Sequence, residues 1–152
     1  MATEEELNLL GESRGKILGV DFGDTRTGLA VSDKNRILAS GIGYISPGGI
    51  EKTADGVARI AQEQGVVAAV VGLPRNMDGS EGFRAERCRQ FAGMLHDRIG
   101  VPVVLMDERL TTVSAARYLN ETNTRGSRRR QVIDTLSAQI ILQNLLDRLK
   151  NR

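Results

Sequence analysis

Residues Val66–Leu73 form an uninterrupted apolar run, Val-Val-Ala-Ala-Val-Val-Gly-Leu. A strand without polar alternation is typical of a parallel sheet, because crossover helices cover both of its faces. The run follows a segment with helical spacing, Ile50–Gln64. A second helical pattern, Ser80–Ile99, leads to another apolar run at Val101–Met106. This half of the chain therefore predicts parallel strands joined by crossover helices.

The first half of the chain predicts an antiparallel meander. Three strand patterns precede the first crossover helix, at Lys16–Asp21, Thr27–Ser32 and Ile37–Ile45. The connection between the first two contains Gly23, which supplies turn geometry that other residues resist. Together the two halves predict a single α/β domain in which a mixed five-stranded sheet has helices on both faces.

The two ends of the chain are expected to differ in order. Residues 1–14 are acidic, with Glu4-Glu5-Glu6, and we expect a mobile leader ahead of a domain at residues 15–152. Two more helices, Val113–Glu121 and Val132–Leu149, are predicted on either side of a polar segment, Asn120–Arg130, that we expect to be mobile. The core candidates of the last helix are Ile133, Leu136, Ile140 and Leu145.

Composition excludes several classes of protein. The net charge is only +2, so any basic surface must be local. Aromatic residues make up 3% of the chain, which argues against a surface that grips single strands by base stacking. Cys88 is the one cysteine, so no disulfide forms within the chain. Without a signal peptide or an apolar run of ~20 residues, we expect a cytoplasmic protein with no membrane segment.

Three acidic residues occupy positions that packing alone would not favour. Asp21 ends the first predicted strand, Glu108 follows the last one, and Asp134 opens the final helix. Carboxylates crowded together repel one another unless a cation lies among them. Oxygen ligands favour Mg²⁺ or Mn²⁺, and two such ions ~3.5–4 Å apart suit the attack of water on a phosphodiester. We therefore predict a metal-dependent nuclease with these acids as its catalytic metal ligands.

Each acid also has a purely structural explanation. Asp is common in turns, which would account for Asp21. However, a charge between an apolar run and a glycine is unusual, and this favours a functional role. Glu108 taken alone fits a solvated strand end equally well. Asp134 taken alone fits better as an acid that the helix dipole favours near a helix N-terminus.

A run of arginines lies just before the last of these acids. Most charge runs are solvated surface, but this position favours contact with nucleic-acid phosphates. The turn Asn76–Ser80 leads into a predicted helix N-terminus, which is a natural phosphate cradle. A capped helix start, with Asp78 as the cap, is a compatible alternative. The predicted nucleic-acid-binding residues of these segments are Arg75, Asn76, Ser80, Arg125, Arg128, Arg129 and Arg130, and Arg84 and Arg87 could extend their surface.

Arg109, Cys88 and His96 each carry a separate prediction. Arg109 follows the predicted strand end and is predicted to be a nucleic-acid-binding residue that neutralises charge developing during the reaction, with pairing to a neighbouring acid as the alternative. Cys88 lies on the apolar face of its helix and is predicted to be a core residue. His96 falls on the polar side of the same helix and is predicted to be a surface residue.

Four motifs in sequence order resemble those of the YqgF family, also called RuvX. They span residues 17 to about 146, nearly the whole chain. The motifs are Gly19-Val20-Asp21-Phe22-Gly23 with Arg26 and Gly28, Val71-Gly72-Leu73-Pro74 with Asn76–Ser80, Asp107-Glu108-Arg109-Leu110-Thr111-Thr112, and Asp134 with Ser137-Ala138 and Ile140–Gln143.

This resemblance implies an RNase H-like fold and a metal-dependent nuclease. It assigns Asp21, Glu108 and Asp134 as the acids of the site, and it adds Arg26 to the nucleic-acid-binding residues. It implies maturation of the 5′ end of precursor 16S ribosomal RNA, whereas an older name of the family implies resolution of four-way Holliday junctions. Resolvases cut symmetrically as dimers, and the sequence leaves the oligomeric state open.

Two other classes of function remain as alternatives. Asp-Phe-Gly-Asp-Thr, residues 21–25, resembles the first phosphate loop of actin-like ATPases and sugar kinases. Those proteins close two such domains on a nucleotide, and 152 residues supply one. The second alternative is a non-catalytic nucleic-acid-binding module that acts through the arginine run.

Overall fold

The computed structural model describes residues 2–108 and 126–151, and for residues 126–134 it describes the backbone alone. These residues form four helices and five strands. The helices are α1 (Glu4–Glu12), α2 (Ile50–Gln64), α3 (Phe83–Ile99) and α4 (Gly126–Lys150), and the strands are β1 (Ile17–Asp21), β2 (Thr27–Ser32), β3 (Ala39–Ile45), β4 (Ala68–Leu73) and β5 (Val103–Asp107).

The five strands form one mixed sheet in the order β3-β2-β1-β4-β5. β1 and β3 both pair antiparallel with β2, whereas β4 lies parallel to β1 and to β5. Because β1, β4 and β5 run in the same direction, their carboxyl ends meet at one edge of the sheet, here called the carboxyl edge. The predicted meander followed by parallel strands is confirmed.

Side-chain alternation along the strands divides the core into two layers. Val20 of β1 and Val71 of β4 belong to a cluster with the apolar faces of α2 and α3. Ile17 and Val70, which have the opposite orientation, pack in a cluster with α1 and α4. Helices therefore cover both faces of the sheet, as predicted, and this explains why β4 carries no polar side chain.

The amino-terminal segment differs from the expected mobile leader. Thr3 and Glu6 form a reciprocal capping box at the start of α1. Leu7 and Leu10 are each only 1% exposed and join the core layer beside α4. The side chain of Arg36 donates to the carbonyl of Leu10 and so ties the end of α1 to the turn after β2. The acidic residues of this segment favoured the interpretation as a mobile leader. They are instead the first turn of a short amphipathic helix, where acidic side chains are favourable.

The last helix starts earlier than predicted and buries a partly different face. α4 begins at Gly126 rather than Val132, so the backbone of residues 128–130 is helical and not a mobile loop. Arginine is a good helix former, and nothing in this run breaks a helix. Among the predicted core residues Leu145 is buried, whereas Leu136 and Ile140 are only partly buried and the side chain of Ile133 lies outside the described part. The buried face consists of Ser137, Ala138, Ile141, Leu142, Leu145 and Leu146.

Close packing of α4 on the sheet explains this choice of face. A Cβ added to Gly19 of β1 would lie 2.7 Å from the Cβ of Leu142 and 2.9 Å from the carbonyl oxygen of Ala138. Carbon atoms do not approach so closely, so the helix depends on the missing side chain. Of the core residues predicted from the spacing of large apolar residues, Leu145 lies on this face, whereas the close contact through Gly19 and Ala138 could not be read from that spacing.

The other predicted elements agree with the structure apart from shifts at their ends. β2 and α2 have the predicted bounds, while α3 begins at Phe83 rather than Ser80. The predicted helix Val113–Glu121 lies outside the described residues. Within the described part of the chain, no helix is both long enough and apolar enough to cross a bilayer.

Candidate active site

Asp21 and Glu108 lie at the carboxyl edge, on the face that α4 covers. Ile17 packs in the α4 layer, and the two-residue period of a strand places Asp21 on the same face. On β5 the residues of that layer are Val104 and Met106, and Glu108 continues their alternation. The two acids therefore stand on the strands at either side of β4.

Gly72 of β4 provides the space between these two acids. It follows Val71, which pairs with Val20, so Gly72 lies next to Asp21 in the sheet. A Cβ on Gly72 would lie 2.5 Å from Oε2 of Glu108. The Glu108 carboxyl group thus lies directly over the glycine, in space that any other residue would fill.

The carboxyl groups of Asp21 and Glu108 lie close enough to influence each other's ionisation. Crowded carboxyl groups repel each other when both are ionised. Burial raises the pKa of Glu108, and the nearby charge of Asp107 adds to the rise. The charge of Arg84 and the interaction with Asp21 oppose it. Without a cation, the site therefore disfavours two full negative charges.

This pair of oxygen donors fits a hard divalent cation, whose charge would offset the repulsion between the two acids. Among the described residues, no group of three acidic, histidine or cysteine side chains is arranged to hold a metal ion. Asp134, the third predicted ligand, lies in α4 one turn before Ala138, and its side chain is outside the described part. The structure brings two of the three predicted acids together, and the place of the third stays a prediction.

The buried thiol of Cys88 lies on the other side of the sheet from α4. It belongs to the α2 and α3 core layer, as predicted. Burial, together with the nearby charges of Glu108 and Asp21, raises the pKa of this thiol to about 12. The prediction for His96 is also confirmed, since its ring is exposed and its Nδ1 lies 2.9 Å from the carbonyl oxygen of Val101.

The predicted phosphate cradle before α3 is closed by its own side chains. Asn76 donates from Nδ2 to Oγ of Ser80 at 2.8 Å, and Ser80 donates to Asp78 through its amide and its hydroxyl. Arg75 lies 3.5 Å from Glu81 and 4.0 Å from Asp107. These groups therefore stabilise the loop. Asp78 does not cap α3, because the N-cap residue is Gly82.

The remaining predicted basic residues differ in how far the structure describes them. The guanidinium of Arg26 lies over the ring of Tyr44, with Cζ 5.8 Å from the ring centroid. Tyr44 occupies the row of the sheet that contains Gly28 and Asp21. Arg109 and Arg125 lie outside the described residues. Arg128, Arg129 and Arg130 lie in the first turns of α4, with only their backbone described.

Two residues at this edge were not selected as site residues from the sequence. Gly72 was quoted only as part of a motif, although an isolated glycine in a strand often marks a close approach. Arg84 was named only as a possible extension of the basic surface, although its charge acts on Glu108. Its sequence signal is weak, because four other arginines occur between residues 75 and 98.

Comparison with known proteins gives one family and a set of close relatives. A family profile described as "RuvX: Holliday junction resolvase" matches residues 15–148. A protein of Pelotomaculum thermopropionicum named "Putative pre-16S rRNA nuclease" is 45% identical over 133 residues, which cover 87% of this chain and 86% of that protein. A protein of Myxococcus xanthus with the same name is 46% identical over 132 residues, covering 87% of each.

Solved structures of low sequence identity share the fold. The RuvC protein of Thermus thermophilus in complex with a Holliday junction aligns with a TM-score of 0.57 at 14% identity, covering 90% of this chain and 96% of that one. The fowlpox virus resolvase bound to Holliday junction DNA aligns with a TM-score of 0.58 at 10% identity, covering 88% of this chain and 98% of the viral protein. The fold is RNase H-like, as the motifs implied.

Proposed function

Because this chain belongs to the RuvX family, we propose that it is a metal-dependent nuclease that hydrolyses a phosphodiester bond in the precursor of 16S ribosomal RNA. Its relatives at 45% and 46% identity carry that name. The observation that supports the chemistry is the convergence of two acids at Gly72, with the Glu108 carboxyl group over this glycine and Asp21 on the neighbouring strand. A structural acid at a strand end has no need of a second acid beside it.

Asp21 and Glu108 would hold Mg²⁺ or Mn²⁺, with Asp134 as a third ligand and two ions as the complete site. When bound, such an ion lowers the pKa of the attacking water and neutralises charge on the phosphate. β1 and β5 fix the two acids on a rigid sheet. The ordered backbone of the edge then keeps their separation constant during the reaction.

The substrate strand would be held by cations around this edge. Arg128, Arg129 and Arg130 of α4 precede Asp134 by one to two helical turns, so we propose that they contact the phosphate backbone. Arg26 at the start of β2 would add a further contact. Processing of precursor ribosomal RNA places the protein in the cytoplasm, in agreement with the single cysteine.

A four-way DNA junction is the second candidate substrate, and the description of the matching family profile favours testing it. The experiment incubates the protein with Mg²⁺ or Mn²⁺ and either precursor 16S RNA, free and in pre-ribosomal particles, or a synthetic junction. We expect metal-dependent cleavage of the RNA. Asp21→Asn and Glu108→Gln should abolish it while the circular dichroism spectrum is retained.

Each outcome of this experiment leads to a different assignment. Symmetric cleavage of the junction alone would replace the RNA proposal by the resolvase function. Binding without cleavage of either substrate, unchanged in the Asp21→Asn variant, would indicate a nucleic-acid-binding module instead. Asp55→Asn removes an exposed acid on α2 that pairs with Arg98, near the end of α3, and controls for the change in net charge.

A further inference from the structure

Arg84 differs in its partners from the other arginines between residues 75 and 98. None of the ion pairs within the described residues includes Arg84, and its side chain is exposed. Each of the others has an acid within 4.0 Å: Arg75 is paired with Glu81 and Asp107, Arg87 with Asp24, Arg89 with Glu81, and Arg98 with Asp55.

The topology of the sheet places Arg84 at the carboxyl edge. α3 follows β4, whose carboxyl end lies at that edge, and Arg84 is the second residue of this helix. With Arg87 and Asp24 it lines a small cavity between α3 and the turn after β1. The other lining residues of this cavity include Phe22 and Gly23, which directly follow Asp21 in the chain. Arg84 therefore stands at the carboxyl edge, beside the turn that follows Asp21, and makes no ion pair there.

We propose that Arg84 binds a phosphate of the substrate strand next to the bond that is cut, with Arg87 as a second cation in the same cavity. This inference rests on the proposed nuclease function. An exposed guanidinium without a carboxylate partner keeps its donors available, and their planar fork matches the oxygens of a phosphate. Arg87 forms an ion pair with Asp24 at 3.5 Å. It therefore contributes positive electrostatic potential to the cavity rather than a free hydrogen-bond donor.

A simpler role, in which Arg84 only compensates the charge of Glu108, fits the geometry less well. The other four arginines of this region approach their acids to between 2.6 and 4.0 Å, and Arg84 does not. The proposal also defines the path of the nucleic-acid strand over the protein. The substrate would pass from the first turns of α4, across Asp21 and Glu108, to the first turn of α3.

The test compares Arg84→Gln with Arg98→Gln, which removes an equal charge from the far end of the same helix. A short fluorescein-labelled single-stranded RNA serves as the probe, with EDTA present so that binding is measured without cleavage. We expect Arg84→Gln to bind more weakly and to reduce the slope of log Kd against log[KCl] by ~0.7, the value for one phosphate contact on a single strand. Arg98→Gln should leave the slope unchanged.

A series of probes with one neutral methylphosphonate each then locates the contact. The wild-type protein should lose affinity when the contacted phosphate is neutral. Arg84→Gln should lose no affinity from a methylphosphonate at that position, and it should respond to the other positions as the wild type does. If the wild-type protein cleaves RNA but Arg84→Gln keeps its salt slope and its full methylphosphonate pattern, the inference is overturned and the nuclease function stands. If the contact is found but no RNA is cleaved, the phosphate site stands and the nuclease function falls.

Discussion

The absence of one methyl group at Gly72 allows two carboxyl groups to meet. A Cβ there would lie 2.5 Å from Oε2 of Glu108 and 2.5 Å from Cδ1 of Ile141. Gly72→Ala should therefore displace the Glu108 carboxyl group from Asp21 and strain the contact with α4. We expect a loss of about 1–3 kcal/mol in the free energy of unfolding, as in other overpacked sites, together with loss of nuclease activity.

Urea unfolding and cleavage rates measure the two effects separately. Gly93→Ala is the matched control, since Gly93 lies in α3 and a Cβ there would meet nothing within 4 Å. That substitution should stabilise the protein by up to about 1 kcal/mol, because glycine is unfavourable inside a helix. Full activity in Gly72→Ala would show that Glu108 does not need its position over the strand.

Single residues could be predicted as site residues where a charged side chain follows directly on an apolar segment of the sequence. Asp21 could be selected because a charge ends an apolar strand, and the structure places it on the strand next to Gly72, over which Glu108 lies. The glycine at position 72 indicates a close approach, but the sequence does not show that the approaching group is a carboxyl group thirty-six positions later in the chain. Arg84 could not be selected, because only the three-dimensional arrangement of acids distinguishes it from its neighbours.

At the scale of elements, α1 is a structural part of the domain. Leu10 is 1% exposed and packs in the same core layer as α4, whereas Leu9 is 59% exposed. Leu10→Ala should lower the free energy of unfolding by about 2–5 kcal/mol through the cavity that it leaves, and Leu9→Ala should change it by less than about 0.5 kcal/mol. Urea denaturation of the two variants, followed by circular dichroism, measures this difference. Equal stabilities would mean that α1 is not docked.

The turn between β2 and β3 predicts a pH dependence of stability. Backbone amides lower the pKa of Asp33 below its ordinary value, chiefly that of Leu38 and also those of Ile37 and Asn35. These bonds are absent from the unfolded chain, so ionised Asp33 stabilises the folded state above the ordinary pKa. This contribution is lost as the pH falls through the lowered value.

Asp33→Asn should therefore make stability less sensitive to acid. The difference in unfolding free energy between wild type and variant is expected to be largest at neutral pH and to shrink as the solution becomes strongly acidic. Asp97→Asn, which removes an exposed carboxyl group from α3, controls for the loss of one negative charge. A difference that does not change with pH for Asp33→Asn would contradict the assigned role of the turn.

Elements were predictable where large apolar residues repeat with a clear period. β2 and α2 have the predicted bounds for that reason. α1 was missed because only Leu7 and Leu10 anchor it, too few for a periodic signal in an acidic segment. The face of α4 was predicted correctly at Leu145 but not at Leu136 and Ile140, because the helix packs closely through Ala138 and Gly19, and a contact between small residues leaves little trace in a hydrophobic pattern.

For the whole molecule, the order of the strands determines where chemistry is possible. β1, β4 and β5 end at one edge, α3 begins there, and the strand beside Asp21 has a glycine at the level of the acids. Residues distant in sequence thus meet at the carboxyl edge, as is general for ligand sites in α/β sheets. The mixed sheet was predictable from the order of the elements, whereas the depth at which α4 sits on it depends on side-chain sizes.

Divalent cations should stabilise the folded molecule, because the Asp21 and Glu108 pair exists only in the folded chain. A ligand present at ~100 times its Kd adds about 2.7 kcal/mol. For a chain of this size that corresponds to a rise in Tm of about 5–10 °C, since 1 kcal/mol shifts Tm by about 2–4 °C. Differential scanning fluorimetry with Mg²⁺ or Mn²⁺, against EDTA, measures the shift without any substrate.

The variants decide whether the shift comes from the acidic pair. Asp21→Asn and Glu108→Gln should lose the metal-dependent rise, because each variant lacks one of the two carboxylate ligands. Asp55→Asn should keep the full rise, because that acid is exposed on α2 and pairs with Arg98. A rise that persists in both Asp21→Asn and Glu108→Gln would place the cation elsewhere on the molecule, and the proposed catalytic site would then lack its metal.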